Sequence, residues 1–274
     1  MIFATRSAQH LLRGAKAEVK KFADGEIYVK IKENVRGKEV YLLASLNSAE
    51  NFFEFLLFLD ALKRNGAKVV PIILYLNYAR QDRAQKGEAF SAKVIADIIN
   101  NSFKRKIIID IHSRRALKLL RNVKNVVPLE IFLPKLKKIK NSIVVAPDNG
   151  AIERAKAFAK KLRTKIAVIE KRRTNGRIKI LGIKGKVAEK NVIIVDDMIA
   201  TGETAVLGAK LLKQKGANDI YAVATHPVLC RNAQKLLAQS LFKKVFVSNS
   251  IKVSKKTDKI EVISLYSLIS RLAK

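Results

Sequence analysis

Two adjacent acids followed by small hydroxyl and glycine residues are the part of this sequence best suited to chemistry. In NVIIVDDMIATGETAVLGAKLL an apolar, β-branched run leads into Asp196 and Asp197, then Ala200, Thr201, Gly202, Glu203 and Thr204, then an amphipathic segment. This reads as strand, loop and helix, with the loop at the carboxyl end of a parallel strand, where open α/β sheets take their ligands. Gly202 permits a tight backbone, so successive N–H groups from Thr201 to Thr204 can converge on a phosphate at the helix start, assisted by both threonine hydroxyls. Asp196 and Asp197 can then accept hydrogen bonds from the hydroxyls of an attached sugar. A loop of this composition would hold a ribose phosphate. Two capping acids and a turn glycine are the bland alternative, and TGxT after paired acids at such a junction is a more demanding pattern than that.

Further segments carry charged or nucleotide-sized groups at strand ends. Phe22, Asp24, Gly25 and Glu26 place an aromatic face and two acids around a glycine that permits a hairpin-like bend; a purine could stack there, and an exposed turn is the plain alternative. Arg80, Gln81, Asp82 and Arg83, with Lys86 beyond, follow a buried run ending in YLNY, where guanidinium groups can stack on a base and pair with phosphates. His112 ends the run IIIDIHS, and Asp110, two residues earlier, is expected on the same face of that strand. Asp148 lies in APDNG after another apolar run. In KIAVIEKRRTNGRIKILGIKG, Lys171, Arg172 and Arg173 precede an Asn175–Gly176 pair between two extended runs, a hairpin signal that puts the cations on a flap. His226, in THPV, is given no catalytic role, and His10 is read as a surface residue.

The elements that must position these groups are strands alternating with helices. KEVYLLAS, AKVVPIILY, KIIIDIHS, NSIVVAP, KIAVIE, NVIIVDD and DIYAVATH are short β-branched runs, mostly without polar alternation, each closely followed by a helix-like segment. That pattern predicts an α/β fold with mainly parallel sheets, buried on both faces and flanked by helices. One helix is expected from about Ser48, a serine cap, to Asn65, with Gly66 as its left-handed stop; Gly216 should close the helix after Glu203 in the same way. The 274 residues suit about two domains, and the two prolines of VVPLEIFLP mark a seam, which predicts domains over 1–127 and 128–274. Both halves read as strand, helix, strand, helix, without a residue-level repeat.

Composition narrows the partners. Apolar residues at 49% of the chain are too many for a disordered protein, despite 55 Lys and Arg against 23 Asp and Glu. The resulting net charge of +32 attracts anions, so phosphorylated partners are favoured, while the spread of the cations along the whole length speaks against a nucleic-acid-binding tail. A single cysteine, Cys230, allows no intrachain disulfide and fits a reducing compartment. FFEFLLFLDAL, broken by Glu54 and Asp60, is shorter than the ~20 residues that span a bilayer, and MIFATRSAQH lacks the apolar core of a secretory leader. No membrane partner and a cytoplasmic location are expected.

The loop at Asp196 to Thr204 resembles the phosphoribosyl-binding signature of the type I phosphoribosyltransferase fold, shared by transferases that consume phosphoribosyl diphosphate and by the synthetase that makes it. FADGEIYV, YARQDRAQKGEAFSAK, DIHS, APDNG and EKRR occur in the order and near the spacing seen in the ribose-phosphate pyrophosphokinases, over about Phe22 to Thr204, with ATHPV as a weaker continuation. The resemblance is to the compact short forms of that family. It implies two similar phosphoribosyltransferase-like domains, with the ATP motifs in the first and the catalytic flap and ribose 5-phosphate loop in the second. Its activity would be transfer of the β,γ-diphosphoryl group of ATP to the anomeric hydroxyl of ribose 5-phosphate. By the same resemblance Lys171 is catalytic; Phe22, Asp24, Gly25, Glu26, Arg80 and Gln81 bind ATP, with Asp82 supporting the loop; Arg173 and the residues Asp196, Asp197, Ala200, Thr201, Gly202, Glu203 and Thr204 bind ribose 5-phosphate; His112 and Asp148 hold Mg²⁺. A homo-oligomer is implied, the Phe22 flap completing a neighbouring subunit's nucleotide site; no specific nucleic acid is expected.

Three departures from the family pattern stand out. The phosphate loop has Ala200 and Glu203 where DTGGT is usual, the segment before FADGE is short enough that its first helix must be abbreviated, and the usual glycine after THPV is absent around Cys230 and Arg231. The other classes open to this sequence are a phosphoribosyltransferase, which would not need the RQD and EKRR segments, a noncatalytic regulatory homologue, which would be expected to lose Lys171, His112 or Asp148, and an RNA-binding protein, which would explain the charge but not the acid-containing loops.

Overall fold

The computed structural model describes residues 1–12, 17–174, 177–254 and 257–274, and for 172–174 and 177–180 the backbone alone. The chain falls into two compact units: Met1–Val127 with Ser250–Lys252 and Leu265–Lys274, and Pro128–Asn249 with Val253–Ser264.

The first unit carries β1 (Ile2–Ala4), a hairpin of β2 (Ala17–Lys21) and β3 (Ile27–Ile31), then β4 (Glu39–Leu46), α1 (Ala49–Arg64), β5 (Lys68–Leu76), α2 (Ser91–Ser102), β6 (Lys106–Ile109), α3 (Arg114–Lys118) and β7 (Val123–Val126). Its sheet runs β1-β4-β5-β6-β7 and every neighbouring pair is parallel. The first helix is reduced to a 3-10 turn over Arg6–Leu11. The apolar runs explain the burial: Leu42, Ala44, Ile73 and Ile108 pack with Phe55, Phe58, Leu62, Ala96 and Ile99 of α1 and α2. Ser48 accepts from the Asn51 N–H at the start of α1, and Gly66 follows its end at φ +79°. Glu54, fully buried on α1, is matched by the Arg6 Nε at 2.6 Å and the Arg6 backbone N–H at 2.7 Å, which explains how an acid is tolerated there.

The second unit carries α4 (Leu129–Leu136), β8 (Ser142–Ala146), α5 (Ile152–Leu162), β9 (Ile166–Thr174), β10 (Arg177–Lys184), β11 (Asn191–Ile199), α6 (Glu203–Gln214), β12 (Ile220–Pro227), α7 (Ala233–Ala238), β13 (Phe242–Ser248) and β14 (Ile260–Ile263). The sheet order is β10-β9-β8-β11-β12-β13-β14, with β9 and β10 antiparallel and the rest parallel. Both faces are apolar, as the lack of polar alternation requires. Val192 and Ile194 belong to a core with Val206, Ala209 and Leu212 of α6 and Leu237 of α7, whereas Ile193 and Val195 belong to a core with Phe132 of α4 and Phe158 of α5. Gly216, at φ +82°, closes α6.

The last helix, α8 (Tyr266–Leu272), departs from the expected domain of 128–274. It groups with the first unit, as does Ile251, and Leu265, Leu268 and Ile269 are buried. A short helix burying one apolar stripe follows whichever core receives that stripe, and linear order does not determine which one that is. No helix among the described residues is long and apolar enough to cross a membrane.

Candidate active site

The order of the second sheet fixes where a ligand should lie. From β8 the chain crosses through α5 to β9 on one side, and from β11 it crosses through α6 to β12 on the other, so β8 and β11 are neighbours whose following loops diverge. The crevice outside the carboxyl ends of two such strands is where open α/β sheets bind ligands. The loops there hold Asp148, after β8, and the acids and small residues of β11 and its loop.

Asp196 and Asp197 lie within β11, which continues to Ile199 and pairs with β12 as far as Pro227. The loop proper is thus Ala200 to Gly202, with Glu203 and Thr204 in the first turn of α6. Gly202 is buried at φ +79°, and a Cβ added to it would meet Leu237 only at 3.5 Å, so the backbone angle and not crowding demands glycine there. The first N–H groups of α6 have no intrahelical acceptor, which leaves the turn at Thr201 to Thr204 suited to an anion. Glu203 is exposed on the outer side of the turn, Thr201 and Thr204 are half-buried, and Ala200 is held by its carbonyl, which accepts from the Cys230 N–H at 3.1 Å. Leu229 and Arg231 flank that contact at φ +43° and +55°. The absence of the usual glycine therefore leaves an arginine in the left-handed region.

Lys171 and Asp148 come together by register. Val168 of β9 is opposite Ala146, the last residue of β8, so Lys171 lies three residues beyond the paired segment and Asp148 two beyond the end of β8. The Lys171 Nζ stands 2.8 Å from Asp148 Oδ2, with the lysine side chain 14% and the aspartate 37% exposed. The other aspartate oxygen, Oδ1, accepts from the Ala151 N–H at 3.2 Å, and Gly150 leaves it room, since a Cβ there would stand 3.2 Å from the same oxygen. Backbone pairing of β9 with β10 sets Lys171 opposite Ile180 and Arg173 opposite Ile178, which makes the expected hairpin; its Asn175–Gly176 turn lies outside the described residues, as do the side chains of Arg172 and Arg173.

The charges at this crevice are unbalanced. Asp197 is 4% exposed and its N–H donates to Asp196 Oδ1 at 2.9 Å. Removal from water, the adjoining Asp197 carboxylate and then Asp148 hold the Asp196 carboxyl well above the usual carboxylate range, and Arg154 opposes this only in part. Arg154, on α5, is the residue that sequence reading missed: a lone arginine in a helix with several cations carries no signal of facing a strand-end carboxylate.

In the first unit the flagged residues also gather at strand ends. Phe22 to Glu26 form the turn of the β2–β3 hairpin: the Phe22 N–H donates to the Glu26 carbonyl at 2.8 Å, the Glu26 N–H donates to Asp24 Oδ1 at 3.1 Å, and Gly25 takes φ +98°. Phe22 is 54% exposed and meets Tyr28 edge-on at 6.2 Å between centroids. After β5, Arg80, Gln81, Arg83 and Lys86 are exposed, and Gln81 receives the Ser91 hydroxyl. Asp82 accepts from Ser113 Oγ at 2.6 Å, so the loop after β5 is tied to the residue that follows His112. Ser113 in turn caps α3 by accepting from the Ala116 N–H at 3.0 Å.

The strand-face argument for Asp110 and His112 is corrected by the backbone. β6 ends at Ile109, and Asp110, buried at φ +44°, turns the chain out of the sheet, so the alternation of side chains stops before His112, which is half-buried. His112 belongs to the first unit and Asp148 to the second. His226 is buried within β12, and His10 is half-buried in the 3-10 turn and not a plain surface residue. Among the described residues no three His, Cys, Asp or Glu side chains form a group able to hold a metal ion.

Comparison with known proteins agrees with this arrangement. Residues 5–102 match the family model described as the N-terminal domain of ribose phosphate pyrophosphokinase, and residues 172–273 match the phosphoribosyl synthetase-associated domain. A ribose-phosphate pyrophosphokinase of Fusobacterium nucleatum is 36% identical over 272 residues, covering 94% of this chain and 86% of the relative. One from Thermosipho africanus is 37% identical over 268 residues, covering 94% and 85%. The crystal structure of phosphoribosylpyrophosphate synthetase from Mycobacterium smegmatis superposes with a TM-score of 0.87 at 28% identity, covering 100% of this chain and 97% of that one. With two family models matched in succession and relatives above one-third identity along nearly the whole length, this chain belongs to the ribose-phosphate pyrophosphokinase family.

Proposed function

We propose that this chain transfers the β,γ-diphosphoryl group of ATP to the anomeric hydroxyl of ribose 5-phosphate, giving 5-phospho-α-D-ribose 1-diphosphate and AMP for nucleotide synthesis. The observation that carries the reading is the pairing of Lys171 with Asp148 at 2.8 Å beside the two acids and small-residue loop of β11. A phosphoribosyl-binding loop alone would serve a phosphoribosyltransferase equally well; a lysine on a hairpin at the same strand ends is what a phosphoryl-transfer step adds.

In this mechanism the Thr201 to Thr204 turn binds the 5′-phosphate, and Asp196 and Asp197 accept from the ribose hydroxyls, which carboxylate oxygens do best when ionised. The anomeric hydroxyl attacks the β-phosphorus in line, and AMP leaves with the α-phosphate. Lys171, with Arg173 on the same strand, neutralises the negative charge that spreads over the transferred group, so catalysis is mostly positioning and electrostatics. Closure of the β9–β10 hairpin excludes water that would intercept the diphosphoryl group. Phe22, Asp24, Gly25 and Glu26, with Arg80 and Gln81, take the nucleotide. Phe22 and the acids are exposed at a hairpin tip, which suits service to a neighbouring subunit in a homo-oligomer. A cytoplasmic location accords with these substrates.

Mg²⁺ fits the donor set. It takes one or two carboxylates together with substrate phosphates and keeps several waters, so a dedicated group of three side chains is not needed. Asp148 is half-exposed, and the carboxyls near it are strained by mutual repulsion. Asp148 in the second unit and His112 in the first are the residues that would each offer the ion a ligand, and when bound it would neutralise charge on the triphosphate. The test is to mix the protein with ATP, Mg²⁺ and ribose 5-phosphate and identify the products. AMP with a diphosphorylated sugar is expected; ADP with a monophosphorylated product overturns the reading.

A further inference from the structure

A mainly parallel sheet has two chemically distinct edges, and in the second unit the edge opposite Asp148 and Asp196 is strongly basic. Lys138 and Lys140 precede β8, Arg163 and Lys165 precede β9, Lys190 precedes β11, and Lys186 follows β10, whose antiparallel course brings its end to the same edge. Backbone contacts draw the segments together. The Val144 N–H donates to the Lys165 carbonyl at 3.1 Å, the Asn191 N–H to the Asn141 carbonyl at 3.0 Å, and Asn191 Nδ2 to the Lys140 carbonyl at 2.7 Å. A Cβ on Gly185 would stand 3.3 Å from the Ile166 carbonyl oxygen, which fixes Lys186 beside the start of β9.

Lys138, Lys140, Arg163, Lys165 and Lys186 are exposed, and among the described residues none of them is paired with an acid. Lys190 spends one donor on Asn141 Oδ1, and Glu189 is the one acid in these loop segments. Complementing a helix C-terminus accounts for Arg163, which caps α5, and for Lys138, just past α4. It does not account for Lys140, Lys165, Lys186 and Lys190, which flank strands. These segments contain no aromatic residue on which a base could stack, so recognition there would read phosphate and not sequence.

We infer that this amino edge of the second sheet is a docking surface for the phosphate backbone of a nucleic acid, bound without sequence preference and separately from the catalytic edge. Exposed lysines along adjoining loops, with Glu189 the one carboxylate among them, suit a run of phosphates and supply nothing to read a base edge. The inference does not depend on the reaction proposed above.

The test is fluorescence anisotropy with a labelled single-stranded RNA of mixed sequence, titrated with full-length protein at several salt concentrations. The edge variant Lys138→Glu/Lys140→Glu/Lys165→Glu/Lys186→Glu is compared with a control, Lys30→Glu/Lys68→Glu/Lys118→Glu/Lys124→Glu, whose residues are exposed in the first unit. Both variants lower the net charge equally. The wild type should bind with an affinity that falls linearly in log salt, and the edge variant should lose more than about tenfold and lower the slope by about 2 to 3, at about 0.7 per phosphate contact. The control should lose less than about threefold, and AMP production from ATP and ribose 5-phosphate should be unchanged in both variants. Equal losses in the two variants would assign binding to diffuse charge and overturn the inference. So would absence of binding at about 0.1 M salt, or displacement of the RNA by anionic lipid vesicles but not by unlabelled RNA or duplex DNA.

Discussion

Replacing Lys171 by methionine separates a catalytic role from a structural one, because the ion pair with Asp148 bounds how much stability the lysine can contribute. At 2.8 Å two unit charges attract by about 1.5 kcal/mol in water-like surroundings and by about 6 kcal/mol at an effective dielectric of 20. The Asp148 side chain is 37% exposed, so the lower figure applies, and the entropy of holding two side chains together reduces it to about 0.5–1 kcal/mol. Methionine keeps the apolar stem of the 14% exposed lysine, so packing is largely conserved. A loss of about 1 kcal/mol in a chain of this size lowers Tm by about 2–4 °C. If Lys171 meets the transferred group in a water-poor crevice, its removal costs about 3–4 kcal/mol of transition-state stabilisation, or about 100- to 1000-fold in kcat. The assay pairs thermal denaturation with steady-state AMP formation at saturating substrates. A kcat within about threefold of wild type, or a loss of turnover that simply follows unfolding, would refute the role assigned to the lysine.

Further outcomes follow from the same geometry. Because Asp196 titrates well above the ordinary carboxylate range in the fold, the stability that its protonated form contributes is complete below that range and is lost as pH rises through the raised value. Asp196→Asn should abolish this decline in a series of melts from acid to neutral pH while weakening ribose 5-phosphate binding; an unchanged pH slope would contradict the assigned cause. Gly202→Ala should cost about 1–2 kcal/mol through the left-handed backbone alone, read by denaturant titration, and should raise KM for ribose 5-phosphate more than KM for ATP. Phe22→Ala should leave Tm unchanged, since the ring is 54% exposed, and raise KM for ATP about tenfold if the ring stacks on the base.

Local chemistry was the legible part of this chain. Ser48 and Gly66 bound α1, Gly202 starts α6 and Gly216 closes it, because capping and left-handed turns are written in residue type. The β-branched runs gave the parallel sheets for the same reason: a strand buried on two faces has no polar alternation to show. Non-local facts were not legible. Nothing in IIIDIHS says that Asp110 takes φ +44° and ends the strand early, since aspartate tolerates that region without requiring it. Nor does the sequence around Lys171 or Arg154 disclose a carboxylate partner; those meetings depend on the register of β8 against β9 and on the crossover through α5. The adherence of α8 to the first unit is of the same kind.

The root of the β9–β10 hairpin acts as a cantilever. β9 is bonded to β8 only as far as Val168, and at about 3.3 Å per residue Lys171 stands about 10 Å out along the free arm. A tilt of about 10° at the root would swing the ammonium group by nearly 2 Å, a large fraction of the distance that now separates it from Asp148. The pivot is tightly filled, because a Cβ on Gly185 would approach the Ala167 Cβ to 2.8 Å. A single methyl group at this point would therefore act as a wedge, re-aiming a charge it never touches.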